Sequence, residues 1–293
     1  MTDTTPTNVG RVLGTDQQME IQPWRVDHAN RSVYYSSYHI CRTSIARYLT
    51  HLTSYECEWI EGYPSAIGNL AALAHSEGLD LPRVKAIILS SETLDSETRH
   101  IVETGFGERI WEFYASAEQA AFISQCESGS LHVNPEYGVV EWLPRGRDSD
   151  GAALYELVAT TFMNLSMPLI RYLTDDLVTI GPQHCSCGRS FPTVGRIVGR
   201  VSASIILPDG RRVTGISTIP KGMPVTRSQL AQTAQGKIEF RVIPDEQGWH
   251  EGVEQELIRR LRQRLGDSLQ IVVRVVDHIP PGPNGKTPLV LRE

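Results

Sequence analysis

The chain has 293 residues, 40% of them hydrophobic and 21% charged, which is enough for a large core and more naturally for two domains than one. With 28 Lys and Arg against 34 Asp and Glu, the net charge of −6 leaves no basic footprint for nucleic acid or an anionic membrane. No run approaches the ~18 apolar residues of a membrane helix, the opening MTDTTPTNVGR lacks a signal-peptide core, and five cysteines, an odd number, read as reduced cytoplasmic thiols rather than a disulfide framework.

From Ser37 to Tyr114 helix and strand patterns alternate. CRTSIARYLTHL and PSAIGNLAALAHSEG carry apolar residues at helical spacing, the second with Pro64 and Ser65 suited to a helix start. ECEWIEGYP, VKAIILS and RIWEFYAS are short strand candidates, and DSETRHIVETGFG reads as a helix with an acidic or serine cap and a glycine stop. Repeated βα units predict an open parallel sheet covered by helices, with ligands bound beyond the carboxyl ends of its strands. LSSETL and YASAEQ lie at two such ends.

Between about Ala120 and Thr161 the texture changes to short alternating strands (AAFIS, SLHVN, GVVEWL, ALYELVATTF) parted by Gly, Pro and Asp turns, so an antiparallel subdomain is expected. After Arg200, SASIILPDGRRVTG predicts a strand pair around a Pro-Asp-Gly turn. KIEFRVI, EGVEQELIRRLRQRL and QIVVRVV then predict a strand–helix–strand unit. The domain boundary falls near residues 198–203 on this reading.

HCSCGR places Cys185 and Cys187 one residue apart, too close to bridge each other readily. Two thiolates can share one metal, and CESGSLH supplies Cys126 and His132 as a second pair. Two close pairs on separate turns follow the two-knuckle logic of structural zinc sites, with three thiolates and one imidazole closing the shell. His184 is an alternative fourth ligand, and ordinary buried cysteines are the competing reading. Cys41 and Cys57 read as packed thiols.

YASAEQAAFISQCESGSLHVNPEYGVVEW, MPLIRYLTDDLVTIGPQHCSCGRSFPTVGRIVGR and PPGPNGK, with YYSSYHI, EGYPSAI and LSSETL, resemble the phenylacetate–CoA ligase and CapK branch of the adenylate-forming enzymes, in order from about Gly10 to Lys286. The resemblance implies a structural zinc at Cys126, His132, Cys185 and Cys187. It also implies chemistry that joins a carboxylate to AMP from ATP and passes the acyl group to a thiol such as coenzyme A or a carrier protein, an AMP-forming acid–thiol ligase. By position in the family pattern, Glu118 resembles the magnesium-binding glutamate, a hard oxygen ligand for a hard ion. Asp176 resembles the ribose-binding aspartate and Arg200 the arginine that reaches the ribose. Ser90, Ser91 and Glu92 would lie along the adenine and Tyr114 would stack on it. His39 would gate the substrate carboxylate, and Lys286 would bridge the acid and the α-phosphate from a mobile loop.

Four departures accompany the resemblance. Asp175 stands where the family usually has glycine, Ala117 where it has a hydroxyl, and Ser202-Ala203 where it has an acidic hinge pair. No Gly-, Ser- and Thr-rich loop ending in lysine precedes Tyr34 to cradle a triphosphate. The expected fold is therefore α/β: a truncated adenylate-forming enzyme with a parallel βα sheet and a zinc-stapled antiparallel subdomain. Residues 1–200 would be the remnant of the large AMP-binding domain, and 201–293 the small mobile domain. The expected partners are a nucleotide, a carboxylic acid, CoA or a carrier protein, and a chain supplying the missing half, with no nucleic acid and no membrane. A non-catalytic zinc-stabilised nucleotide- or protein-binding module is the alternative.

Overall fold

A computed structural model describes residues 6–10, 22–214, 216, 219–220, 222–234, 236–245, 248–279 and 289–292. The chain divides into two compact units, residues 1–137 with 184–191, and residues 138–183 with 192–293.

The first unit alternates strands and helices. Its elements are β1 (Pro6–Gly10), β2 (Trp24–Asp27), β3 (Ser32–Ser36), α1 (Ile45–Ser54), β4 (Trp59–Gly62), α2 (Pro64–Ser76), β5 (Ala86–Leu89), α3 (Ser96–Phe106), β6 (Ile110–Ala115), β7 (Phe122–Gln125) and β8 (Leu131–Val133). They form the strand order β2-β3-β1-β4-β5-β6-β7-β8. Pairing is parallel from β3 through β1, β4 and β5 to β6, and antiparallel for β2 with β3, β6 with β7 and β7 with β8. The parallel sheet read from the sequence is present, and the change to antiparallel pairing comes at β7.

The helices form where the apolar spacing and caps dictate. Along α1, Ile45, Tyr48, Leu49 and Leu52 are buried at intervals of three and four, one stripe against the core. The first turn of α2 begins with Pro64, whose missing N–H leaves nothing unsatisfied there. Asp95 caps α3, its carboxylate accepting from Thr98 N–H at 2.8 Å and from the Thr98 hydroxyl at 2.9 Å. Gly107, at φ 71°, ends α3 in the left-handed conformation that favours glycine. A Cβ at Gly68 would stand 2.9 Å from Thr98 Cγ2, so α2 and α3 approach closely only because that position is glycine. Of the two cysteines read as packed, Cys57 is buried but Cys41 is exposed. Cys41 sits in the turn before α1, where its carbonyl accepts from Ser44 and Ile45 N–H while its side chain faces outward.

In the second unit β9 (Gly138–Arg147), β10 (Ala153–Thr161), β11 (Tyr172–Ile180) and β12 (Thr193–Arg200) form an antiparallel meander. Neither β11 nor β12 stood out by alternation. Asp175 (φ 67°) and Gly199 (φ 133°) break their regularity, and register shifts follow between Leu177 and Val178 and between Thr179 and Ile180. The β10–β11 connection exposes Phe162, Met163, Leu165, Met167 and Ile170, with Leu165 85% and Ile170 77% accessible.

The rest of this unit contains β13 (Ile205–Ile206), β14 (Arg212–Val213), β15 (Val225–Ala234), β16 (Lys237–Pro244), α4 (Glu251–Leu265), β17 (Gln270–Val275) and β18 (Val290–Arg292). β13 and β14 pair antiparallel about the Pro-Asp-Gly turn, with Gly210 at φ 84°. The larger sheet runs β17-β16-β15-β18, and β16 and β17 are parallel about α4, as the strand–helix–strand reading requires. Of the buried stripe Val253, Leu257, Leu261 and Leu265 on α4, the three leucines share one core with Ile238, Phe240 and Val242. β15 escaped the sequence reading because its buried side chains include Gln229 and Gln232. Gln232 donates to Ile206 O (2.6 Å) and accepts from Ile206 N–H (3.2 Å), so its amide does the work of a neighbouring strand's backbone.

Replacing Asp95 with Ala leaves the Thr98 N–H without its acceptor, and should cost about 1 kcal/mol. Urea denaturation of Asp95→Ala checks this; an unchanged midpoint would mean that the cap contributes nothing.

Candidate functional site

The four metal-ligand candidates, Cys126, His132, Cys185 and Cys187, all belong to the first unit, and their ligand atoms lie within 4.8 Å of one another. Two turns of the same kind build the cluster. In the first, Gly129 N–H donates to Cys126 O at 2.9 Å with Gly129 at φ 87°. In the second, Gly188 N–H donates to Cys185 O at 3.1 Å with Gly188 at φ 79°. A cysteine followed three residues later by a left-handed glycine is thus repeated on CESG and CSCG. The glycine lets the chain fold back so that the sulfur points into the centre.

The spacing suits a small tetrahedral ion. Zn–S bonds of about 2.3 Å in a tetrahedron put sulfurs about 3.8 Å apart, and Cys126 Sγ and Cys185 Sγ are separated by 3.7 Å. Cys187 Sγ is 3.5 Å from His132 Nε2. His132 is buried, and its Nδ1 lies 3.2 Å from Phe191 O. Donation from Nδ1–H to that carbonyl leaves Nε2 as the lone-pair nitrogen facing the cysteines, the usual outer support of a ligating imidazole. The surroundings separate the thiols. Burial pushes Cys126 up, whereas a hydrogen bond with the Ser130 side chain and one from the Cys187 backbone hold Cys185 down, at about 6. Arg109 donates to Glu127 O at 2.6 Å, and Arg189 pairs with Glu127 Oε2 at 2.6 Å, so the first turn is braced from both sides. His184, the alternative ligand, is exposed and outside the cluster.

The nucleotide-site candidates divide between the units. In the first, His39 ends a single 3-10 turn (Ser37–His39) after β3, its Nδ1 2.7 Å from the Oγ of fully buried Ser36. Ser90, Ser91 and Glu92 follow β5, with Ser91 at φ 70° and its Oγ 3.4 Å from Ser90 Oγ. The Glu92 carboxylate accepts from Ser65 N–H at 2.9 Å and from the Ser65 hydroxyl at 3.0 Å, in the first turn of α2. There it meets the positive end of the helix dipole. Tyr114 is buried near the end of β6, and Glu118 is half-buried in the following turn, in which Gln119 adopts φ 55°. In the second unit Asp176, in the middle of β11, and Arg200, at the end of β12, are register partners, and Arg200 Nε lies 3.5 Å from Asp176 Oδ1. Lys286 lies outside the described residues. Sequence reasoning missed three supporting side chains: Ser36 beside His39, Ser130 beside Cys185, and Ser202 beside Asp175. Each lies within a stretch that the sequence singles out, but only tertiary contact shows which partner it supports.

Residues 205–293 match the CapK C-terminal domain family. Over 283 residues the chain is 25% identical to Protein CapK of Staphylococcus aureus, covering 94% of this chain and 62% of that protein. It is 28% identical over 229 residues to a phenylacetate-coenzyme A ligase of Thermus thermophilus, covering 70% of this chain and 46% of the relative. Among solved structures, 2-hydroxyisobutyryl-CoA ligase in the postadenylation state with R3-HIB-AMP matches with a TM-score of 0.59 and 19% identity, over 99% of this chain and 65% of that one. Fatty acyl-adenylate ligases from E. coli and L. pneumophila match with a TM-score of 0.59 and 16% identity, over 97% and 61%. The mixed α/β architecture is that of adenylate-forming ligases. The chain spans less than two thirds of the length of these relatives.

Glu92 has a structural task in this arrangement whatever else it touches. Glu92→Ala should lower stability by about 1 kcal/mol through the first turn of α2. Thermal denaturation without any nucleotide checks this, and an unchanged melting temperature would remove that task.

Proposed function

We propose, for a chain that belongs to the CapK and phenylacetate–CoA ligase branch of the adenylate-forming superfamily, that it takes part in activating a carboxylic acid as an acyl-AMP for transfer to CoA or another thiol. The observation that carries this reading is the pairing of Asp176 with Arg200 across β11 and β12, in a chain whose relatives include a CoA ligase and whose structural neighbours hold acyl-AMP. A carboxylate that accepts the two vicinal ribose hydroxyls beside a planar guanidinium is a chemically apt nucleotide anchor.

In the half-reaction a carboxylate oxygen bonds to the α-phosphorus of ATP and pyrophosphate leaves. The protein's part is positioning and charge stabilisation. Glu118 would hold magnesium, which offsets phosphate charge when bound. Ser90, Ser91, Glu92 and Tyr114 would border the adenine, His39 the acid, and Lys286 the α-phosphate. Residues 201–293 would be the small mobile domain, which the family match over 205–293 supports. The cytoplasm is the compartment these chemistries and reduced thiols suit.

Zinc is the ion we assign to Cys126, His132, Cys185 and Cys187, on the strength of three sulfurs, one imidazole nitrogen and tetrahedral spacing. With four protein ligands it would be structural, joining the two turns. The exposed apolar side chains between Phe162 and Ile170 favour a further polypeptide as part of the working assembly. The alternative reading is a non-catalytic, zinc-stabilised nucleotide- or protein-binding module.

Protein purified without added metal should carry one zinc per chain, and chelation should lower its melting temperature, because a structural ion contributes folding free energy. Absence of zinc by elemental analysis would refute the assignment. AMP should bind, and Asp176→Ala should weaken it by ~1.5–3 kcal/mol in calorimetry. Acid-dependent pyrophosphate release from ATP and magnesium that disappears in Lys286→Ala would support the ligase. AMP binding without any release would support the binding module, and failure to bind AMP at millimolar concentration would exclude the ribose site.

A further inference from the structure

Two of the departures from the family pattern, Asp175 and Ser202, meet in space. Asp175 has φ 67°, a left-handed conformation that strains any side chain larger than glycine and persists where surrounding contacts hold it. Three contacts do so. Its carbonyl accepts from Val201 N–H at 2.7 Å, its Oδ1 accepts from Ser202 N–H at 2.9 Å, and its Oδ2 accepts from the Ser202 hydroxyl. All three reach the segment that follows Arg200.

That segment needs holding. Asp176–Arg200 is the terminal register pair of β11 and β12, next to Leu177–Gly199, where Gly199 has φ 133°. The Arg200 side chain is 68% exposed, and its Nε is 3.5 Å from Asp176 Oδ1. An exposed contact of that length does not by itself fix a long side chain. Moreover, Asp175 and Asp176 are adjacent carboxylates that could compete for one guanidinium. With both Asp175 oxygens accepting from Ser202, the arginine is left to Asp176.

We propose that Asp175 and Ser202 form a clamp that positions Arg200 against Asp176, which makes both of them positioning residues for the ribose-binding pair. The proposal rests on the nucleotide reading above. The clamp acts in two ways: it sets the backbone direction at residues 200–202, and it occupies the carboxylate that would otherwise draw Arg200 away. Serine at 202 matches aspartate at 175, so the two departures form one compensated pair.

The test uses the full chain and the variants Asp175→Gly, Asp175→Asn, Ser202→Ala and Asp175→Gly with Ser202→Ala. Glycine tolerates the left-handed φ, and asparagine keeps an acceptor for Ser202 N–H, so the fold is preserved in both. Without nucleotide, amide exchange of Ser202 should accelerate on the order of tenfold in Asp175→Gly and stay near wild type in Asp175→Asn. The Arg200 Nε–H resonance should shift in Asp175→Gly and in Ser202→Ala. AMP affinity should fall on the order of tenfold in each of these two single variants, and the double variant should be no weaker than Asp175→Gly alone, as expected for partners in one interaction. Unchanged Ser202 exchange together with an unmoved Arg200 signal in Asp175→Gly would overturn the clamp, as would losses that add in the double variant. A wild-type chain that binds no AMP counts against the ribose reading alone. In that case the exchange and Arg200 measurements still support or overturn the clamp.

Discussion

Four ligand atoms within 4.8 Å of one another require two turns, 59 residues apart in sequence, to be built together. Residues 184–191 accordingly cluster with the first unit, whereas the strands on either side of them, β11 and β12, cluster with the second. The chain therefore crosses from one unit to the other and back within a single β-connection. Where the rest of the fold relies on burial and ladders of backbone hydrogen bonds, this segment of exposed and half-exposed residues has little apolar surface to hide. Three sulfurs and one imidazole nitrogen converge there, and the Arg109 and Arg189 contacts to Glu127 brace the first of the two turns.

Several carboxylates of this acidic chain have tasks within the fold. Asp95 caps α3 and Glu92 meets the first turn of α2. Buried Asp148 accepts from Asp150 and Ala152 N–H and pairs with Arg196, and buried Glu156 pairs with Arg145. Asp148 and Glu156 are desolvated, and a lone charge there would be costly, so each is matched by arginine or backbone donors. Asp176 with Arg200 differs: the arginine side chain is mostly exposed. An ion pair open to water contributes little to stability, so this pair is not a staple of the fold.

Local patterning made the helices and the parallel strands β4, β5 and β6 legible, but not β1 or β3. The apolar stripes of α1 and α4, the cap at Asp95 and the glycine stop at Gly107 are local signals whose physics acts within a few residues. The hairpin of β13 and β14 was legible for the same reason, since Pro-Asp-Gly determines its own turn. What escaped were strands whose interior is polar. β15 buries two glutamines that satisfy themselves on other strands, and β11 is interrupted by a left-handed aspartate. Cys41 was misread because burial is a property of the packed chain, and a cysteine in a turn before a helix carries no mark of which way it faces.

At the site, the sequence by itself brought forward Cys126, Cys185 and Cys187 with two candidate histidines, because close cysteine pairs on separate turns are a local pattern. The candidates for a nucleotide, Glu118, Asp176 and Arg200 among them, came from the family resemblance and not from any local pattern. Only the tertiary structure decided that His132 rather than His184 joins the cysteines. Only it decided that Glu92 meets α2, and that Asp175 and Ser202 satisfy each other. Each of those outcomes depends on which side chains a distant segment brings within about 3 Å, the range over which a hydrogen bond has any strength, and no local pattern in the chain encodes that approach.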